Sequence, residues 1–355
     1  MTVTTGTPRA RASMGAALTF LSLAWSWLFL IGLLIFFEVW TQVAFDRTFL
    51  FNAFNIQSVL IFTAAPLLLA LGQTLVIIAA GIDLSVGFIM GLASVVMAVV
   101  MRQFGVDVHP GLVLLIGIVA AFVAAVIPGL VNGVLIARLA VPPFIGTLGM
   151  FGVARGAGFL ISGGATVPVN NTWLFAMGSG KVCVIPGGGD GCLLNVPIPV
   201  LITIVLVIAV HYVLSQTRFG QYTYAIGGNR EAAIRSGINV RRHTVLLYVL
   251  AAACAGVAGM IFTARFSAGS ADAGEPLLIV SIAAVVIGGA SLFGGSGTIV
   301  GTLIGALIVA VIQFGLVVVN VEPFWQFVAV GIVIIVSVLV DQSQSRLKGE
   351  VQAED

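Results

Sequence analysis

The feature that most constrains this chain is a succession of long apolar runs with almost no charge inside them. A helix that crosses a bilayer needs about 20 apolar residues, because its backbone groups must all bond within the segment. Ten segments fit: approximately 15–37, 57–80, 83–103, 111–137, 142–162, 198–215, 244–266, 276–293, 297–319 and 324–341. Of 355 residues, 60% are hydrophobic and 8% charged, against about 25% charged in ordinary soluble domains. Such a chain cannot present enough polar surface to water. The expected fold is all-α: a polytopic transmembrane bundle of about ten spans forming one domain over 15–341. Short tails, 1–14 and 342–355, flank it. Arg9 and Arg11 precede a first apolar run that is longer than a signal-peptide core and lacks a small-residue cleavage site, so it reads as a retained span. The narrowest division lies between the second and third segments, where only Gly81, Asp83 and Ser85 interrupt the apolar pattern.

Charge placement then orients the bundle. The net charge of +2 is too small to suggest nucleic acid as a partner. With the N-terminus inside, ten basic residues fall on the cytoplasmic side: Arg9, Arg11, Arg138, Arg218, Arg230, Arg235, Arg241, Arg242, Arg346 and Lys348. Four fall outside, at Arg47, Arg102, Lys181 and Arg265, and Arg155 lies within a span. The excess favours both termini inside.

Catalytic and metal-binding patterns are not found in the sequence. There is no HExxH, no paired carboxylates, no nucleophile elbow and no Walker A motif, and His109, His211 and His243 lie far apart. No cysteine pair or histidine cluster suggests a metal. SLFGGSGT (291–298) is glycine-rich but lacks the P-loop lysine and a preceding strand, so a tight turn between helices is expected. Small residues at helical spacing, as in GTLIGALIVA (301–310), let helices approach closely in lipid.

Two polar segments stand out. The outer one, 163–197, is rich in glycine and proline and is expected to be irregular. The inner one, 217–243, is the most charged stretch of the chain. Within it, Asn229 can cap a helix by accepting a backbone N–H, and Glu231 then sits in the first turn, where the helix dipole favours an anion. Ala232, Ala233 and Ile234 suit a helix, and Gly237 can supply the left-handed residue that ends it. The result is a helix of about two turns, too short to be stable alone. It is flanked by Arg218, Arg230, Arg235, Arg241 and Arg242, with Gly228 just before its cap.

Asp83 follows a glycine break and precedes an apolar helix, which suits an N-cap. The alternative sets Asp83, Ser85 and Gln73 beside a wet translocation path, since a carboxylate at membrane depth is costly. Arg155 interrupts MFGVARGAGFL, and its guanidinium either snorkels outward or pairs within the bundle.

Three stretches carry a resemblance to a known family. Glu231-Ala232-Ala233 followed by Gly237 has the EAAxxxG spacing of the coupling motif of ATP-binding-cassette importer permeases. The surrounding FGQYTYAIGGNREAAIRSGINV (219–240), GQTLVIIAAGIDLSVG (72–87) and IGGASLFGGSGTIVGTLIGALI (287–308) resemble the ribose-type sugar permeases. The likeness spans about residues 55–340. It implies a membrane subunit that is not itself an enzyme and binds no cofactor, with ATP and magnesium held by a cytoplasmic ATPase of double-cassette type. The inner helix would dock on that ATPase. A second, identical or different, permease chain and a periplasmic sugar-binding protein would complete the importer in a bacterial inner membrane, surrounded by lipid. The Asp-Leu-Ser wording at 83–85 favours a small sugar over branched-chain amino acids, whose permeases resemble this chain. An ion-coupled secondary transporter is the further alternative, and it is disfavoured because few ionisable groups lie at mid-membrane. On the oxidising outer side Cys183 and Cys192 are free to form a disulfide. The matching loop of the ribose-type permeases is shorter and lacks that pair, so this segment is a local feature, fit to touch a binding protein.

Overall fold

A computed structural model describes residues 8–105, 107–186, 192–322, 324–336 and 339, with residues 8–24, 185–186 and 192–194 described by backbone alone. Most of it is helical, because within lipid only the helix satisfies every backbone group locally. In chain order they are α1 (Pro8–Phe45), α2 (Ala53–Ile78), α3 (Val86–Arg102), α4 (Pro110–Arg138) and α5 (Pro143–Ser162). There follow α6 (Thr172–Ser179), α7 (Ile198–Gln216), α8 (Arg218–Gly228), α9 (Arg230–Arg235), α10 (Val240–Phe266), α11 (Glu275–Ile287) and α12 (Ile299–Val318). The last is α13 (Phe324–Val336). Seven of these, α1, α2, α4, α5, α7, α10 and α12, are long and apolar enough to cross a membrane, and α3, α11 and α13 are shorter apolar helices. Together they coincide with the ten expected segments.

The helix α2 is apolar on all sides and is buried along most of its length, as a helix at the centre of a bundle should be. It packs with α3, α4 and α10 into the main core. A second core joins α1, α12 and α13 to the outer part of α2 and α11. Close approach rests on small residues. A Cβ on Gly72 would lie 2.8 Å from the Ala251 backbone, and one on Gly133 would lie 2.8 Å from that of Val245. Hydroxyl pairs bridge further helix pairs: Thr74 of α2 to Thr302 of α12 at 2.7 Å and Ser94 of α3 to Thr263 of α10 at 2.9 Å.

The structure differs from expectation in four places. First, α1 begins at Pro8, so Pro8–Met14 of the expected tail is helical; the rest of the tails, 1–7 and 342–355, lies outside the described residues. Second, α11 has 13 residues, or about 20 Å, against about 30 Å of hydrocarbon. The irregular chain at both its ends is therefore packed against protein: Gly274 abuts Gly87, and Gly288 abuts Gly301. Third, the described part of the outer segment holds regular structure where irregular chain was expected. Asn171 caps α6 by accepting from Trp173 and Leu174 N–H. Lys181–Pro186 and Cys192–Pro197 pair as antiparallel strands, favoured by the β-branched content of KVCVIP. A short antiparallel pair, Val167–Pro168 with Ala268–Gly269, ties the segment to the end of α10. Fourth, the inner segment holds two helices, α8 and α9, where one was expected.

Candidate functional site

The inner segment is built by local capping. Asn229 accepts from Ala232 N–H at 2.9 Å, and Glu231 occupies the first turn of α9. At the other end Gly237 has φ +81°, Gly237 N–H bonds Ile234 C=O at 3.0 Å, and Ile238 N–H bonds Ala233 C=O at 3.1 Å. That is the paired closure of a Schellman motif. Its hydrophobic contact is present too, since Ile238 packs with buried Ala233, Ile226 and Val240. Arg235 and Glu231 approach to 3.7 Å with both side chains above 80% exposed, a pairing that contributes little. Arg230, Glu231, Ala232, Arg235 and Gly228 all face solvent.

The helix α8 anchors this exposed knob to the bundle. Thr223 Oγ1 lies 2.9 Å from His243 Nε2, and the Phe219 ring packs tilted against the same imidazole with ring centres 4.4 Å apart. Tyr224 donates to Gly297 C=O at 2.7 Å; burial raises the pKa of its hydroxyl, which keeps the proton it donates. At its end Gly227 sits directly on the terminus of α2. A Cβ there would lie 1.7 Å from Ile78 C=O and 2.6 Å from Gly295 N. Gly295 N–H in turn bonds Ile78 C=O at 2.8 Å. The expected turn 291–298 thus forms, with positive φ at Gly294, Gly295 and Gly297, and it meets α8 and α2 at one glycine junction.

Immediately beyond that junction the chain breaks between α2 and α3. Gln73, Asp83 and Ser85 are all fully buried there, and the fold brings them together. Gln73 Nε2 donates to Asp83 C=O. Asp83 Oδ1 accepts from Ser85 N at 2.8 Å and Ser85 Oγ at 2.6 Å. Asp83 therefore closes the turn before α3, while Ser85 holds the N-cap position without a side-chain cap bond. Sequence reasoning missed two members of the cluster. Asn132 of α4 donates to Ser85 Oγ at 2.9 Å, and the Tyr248 hydroxyl of α10 lies 2.9 Å from where a Cβ on Gly81 would stand. The available signal for Asn132 was a lone polar side chain in an apolar span; Tyr248 is one of several polar residues on α10 and gave none. Four atoms, Gln73 Oε1, Asp83 Oδ2, Asn132 Oδ1 and the Tyr248 hydroxyl, are buried without a hydrogen-bond partner among the described residues. Each such group costs about 1–3 kcal/mol, so this break is the least satisfied part of the interior.

Arg155 does not join that cluster. It stands exposed on α5, with its guanidinium carbon 5.2 Å from the Phe88 ring centre and 5.9 Å from that of Phe159. It makes no ion pair among the described residues. The helix that carries it touches the break, since Thr147 Oγ1 donates to Ile82 C=O at 3.3 Å. Cys183 is disulfide-bonded, while the side chain of Cys192, its expected partner, lies outside the described residues. Cys254 is free and buried.

The pattern for the branched-chain amino acid transport system / permease component family matches residues 55–338. The chain belongs to that permease family. The permease is 37% identical to the fructose import permease protein FrcC of Rhizobium meliloti over 295 residues, covering 82% of this chain and 79% of that protein. It is 37% identical to the ribose import permease protein RbsC of Escherichia coli K12 over 315 residues, 89% of this chain and 93% of that one. It is 40% identical to the ribose import permease protein RbsC of Bacillus subtilis over 292 residues, 82% and 85% of the two chains. No solved structure matches the permease. As a permease component it is a polytopic helical membrane protein and a transport subunit, not an enzyme.

Proposed function

We propose that this chain moves a small sugar across the bacterial inner membrane as the permease subunit of an ATP-binding-cassette importer. The ribose, fructose and allose import permeases among its relatives support a monosaccharide over a branched-chain amino acid. ATP and magnesium reside on a separate cytoplasmic ATPase, of the double-cassette type. A periplasmic sugar-binding protein delivers the substrate, and a second permease chain forms the other wall of the path.

The observation that carries this reading is the continuity from α9 to the α2–α3 break. An exposed, doubly capped helix is what an ATPase groove can grip. Displacing α9 moves α8, with which it shares Asn229 as cap residue. At Gly227 α8 has no clearance from Ile78, so the motion passes by backbone contact to the break. The break is under-satisfied, and α5 bonds to it through Thr147, so a second arrangement of the interior lies close in energy. Gln73, Asp83 and Ser85 act as the moving joint behind the path, and Arg155 stands on the path itself. A guanidinium exposed near the middle of a span is costly against lipid, so the α5 face bearing it turns toward water between two chains.

The test is uptake in proteoliposomes holding the permease with its ATPase and binding protein. Labelled ribose, fructose or allose should accumulate only with ATP. Uptake driven by a proton gradient without the ATPase would overturn the reading in favour of a secondary transporter. Replacing Glu231 or Gly237 should leave ATP hydrolysis but abolish its coupling to uptake; unchanged uptake in both variants would make the loop a solvated connector.

A further inference from the structure

Three arginines of the permease line one cleft at its inner face. Arg138 ends α4, and Arg241 and Arg242 lie in the first turn of α10. With Asn239, Val245 and Leu246 they enclose a cavity of about 480 Å³. Its shape follows from the sequence. At Gly133 the antiparallel helices α4 and α10 touch backbone to backbone against Val245, and beyond that pinch lie Arg138 at the end of α4 and Arg241 and Arg242 in the first turn of α10.

The electrostatics of the cleft are unbalanced. The negative end of α4 and the positive end of α10 lie side by side and offset one another, which leaves three guanidinium charges. No carboxylate lines the cavity, and none of the three makes an ion pair among the described residues. Asn239 is occupied in capping, accepting from Arg242 N–H at 3.0 Å. All three arginines belong to the side that charge placement assigns to the cytoplasm. The remaining wall, Val245 and the half-exposed Leu246, is apolar and leads up α10 toward the bilayer core.

We propose that this cleft binds the phosphate headgroup of an anionic phospholipid from the inner leaflet, with one acyl chain lying along Val245 and Leu246. A cleft where two spans end, lined by three arginines and by apolar Val245 and Leu246, matches a lipid better than a soluble anion, which would gain nothing from the apolar wall. An acidic patch on the ATPase is the competing occupant, but it would not use the apolar wall of Val245 and Leu246.

Native mass spectrometry of the full chain tests it, counting retained phosphatidylglycerol against phosphatidylcholine. The wild type should retain phosphatidylglycerol preferentially, and millimolar inorganic phosphate should not displace it. Each arginine changed to Gln should weaken retention about fivefold, with R138Q/R241Q/R242Q abolishing the preference. A matched R47Q/R102Q variant, altered on the outer side, should keep it. Melting in phosphatidylcholine nanodiscs checks that the variants fold; if the triple variant does not, R241Q and R242Q singly carry the same comparison. Equal retention of the two lipids, unchanged retention in the arginine variants, or displacement by phosphate would overturn the proposal. So would loss of ATPase binding with lipid retention intact, which would give the arginines to the ATPase.

Discussion

Two adjacent glycines in the coupling segment have opposite roles. Gly227 is pressed on Ile78 C=O, whereas a Cβ on Gly228 meets nothing within 4 Å. Gly227→Ala should therefore cost about 1–3 kcal/mol, since backbone on both sides must shift, and it should also lower coupled uptake. Gly228→Ala should leave both nearly unchanged. Thermal melting in detergent and the uptake assay read the difference, and equal behaviour of the two would remove the junction from the transmission path. Asn132 offers a second comparison. Asn132→Ala deletes the donor to Ser85 Oγ, and interhelical bonds in membranes contribute about 0.6–1.7 kcal/mol. Unfolding in a denaturing detergent should show a loss of that size. Asn132 was invisible as a partner in the sequence because its bond to Ser85 spans 47 positions, while Gln73, Asp83 and Ser85 could be picked out from a single short motif.

At the scale of elements, α9 was the most legible part of the chain. Its cap, its first-turn acid and its terminating glycine are local features, and each forms as the residue order predicts. Asn229→Ala should reduce α9 stability by about 1 kcal/mol, and Gly237→Ala by about 1–2 kcal/mol, since φ +81° disfavours a Cβ. Both should speed hydrogen exchange of amides 230–238 while leaving α10 unaffected; protection unchanged in both variants would mean that packing, not capping, holds the helix. The helix α8 was not legible, because RFGQYTYAIGG carries two interior-facing glycines that weaken its helical pattern. Its order comes from His243, Gly297 and Ile78, all distant in sequence. The pairing of Lys181–Pro186 with Cys192–Pro197 was missed for a related reason: the glycines and prolines of this stretch read in sequence as irregular chain, and the partners lie in separate strands.

For the whole molecule, the arrangement of α5 carries the strongest expectation. Gly149, Gly152 and Gly156 stand open beside Arg155, on a helix that touches the break. In the assembled importer Gly152→Cys should react with a membrane-impermeant thiol reagent, and its rate should change between nucleotide-free and ATP-bound states. A residue facing lipid would react slowly in both, and that result would move the path off this face. Native Cys254 is buried and gives a low background.

The sequence by itself determined the solvent, the number of apolar segments, the charged inner loop and the capped helix within it. Each follows from composition or from neighbours within about one helical turn. The tertiary structure alone decided what those parts touch. It placed the end of α2 against Gly227 and Gly295, gathered Asn132 and Tyr248 around the Asp83 turn, and left Arg155 outside that cluster. It also closed three arginines from two helices around one cleft. These are contacts between residues tens to hundreds of positions apart, set by how closely small side chains let helices approach. No local pattern encodes that distance.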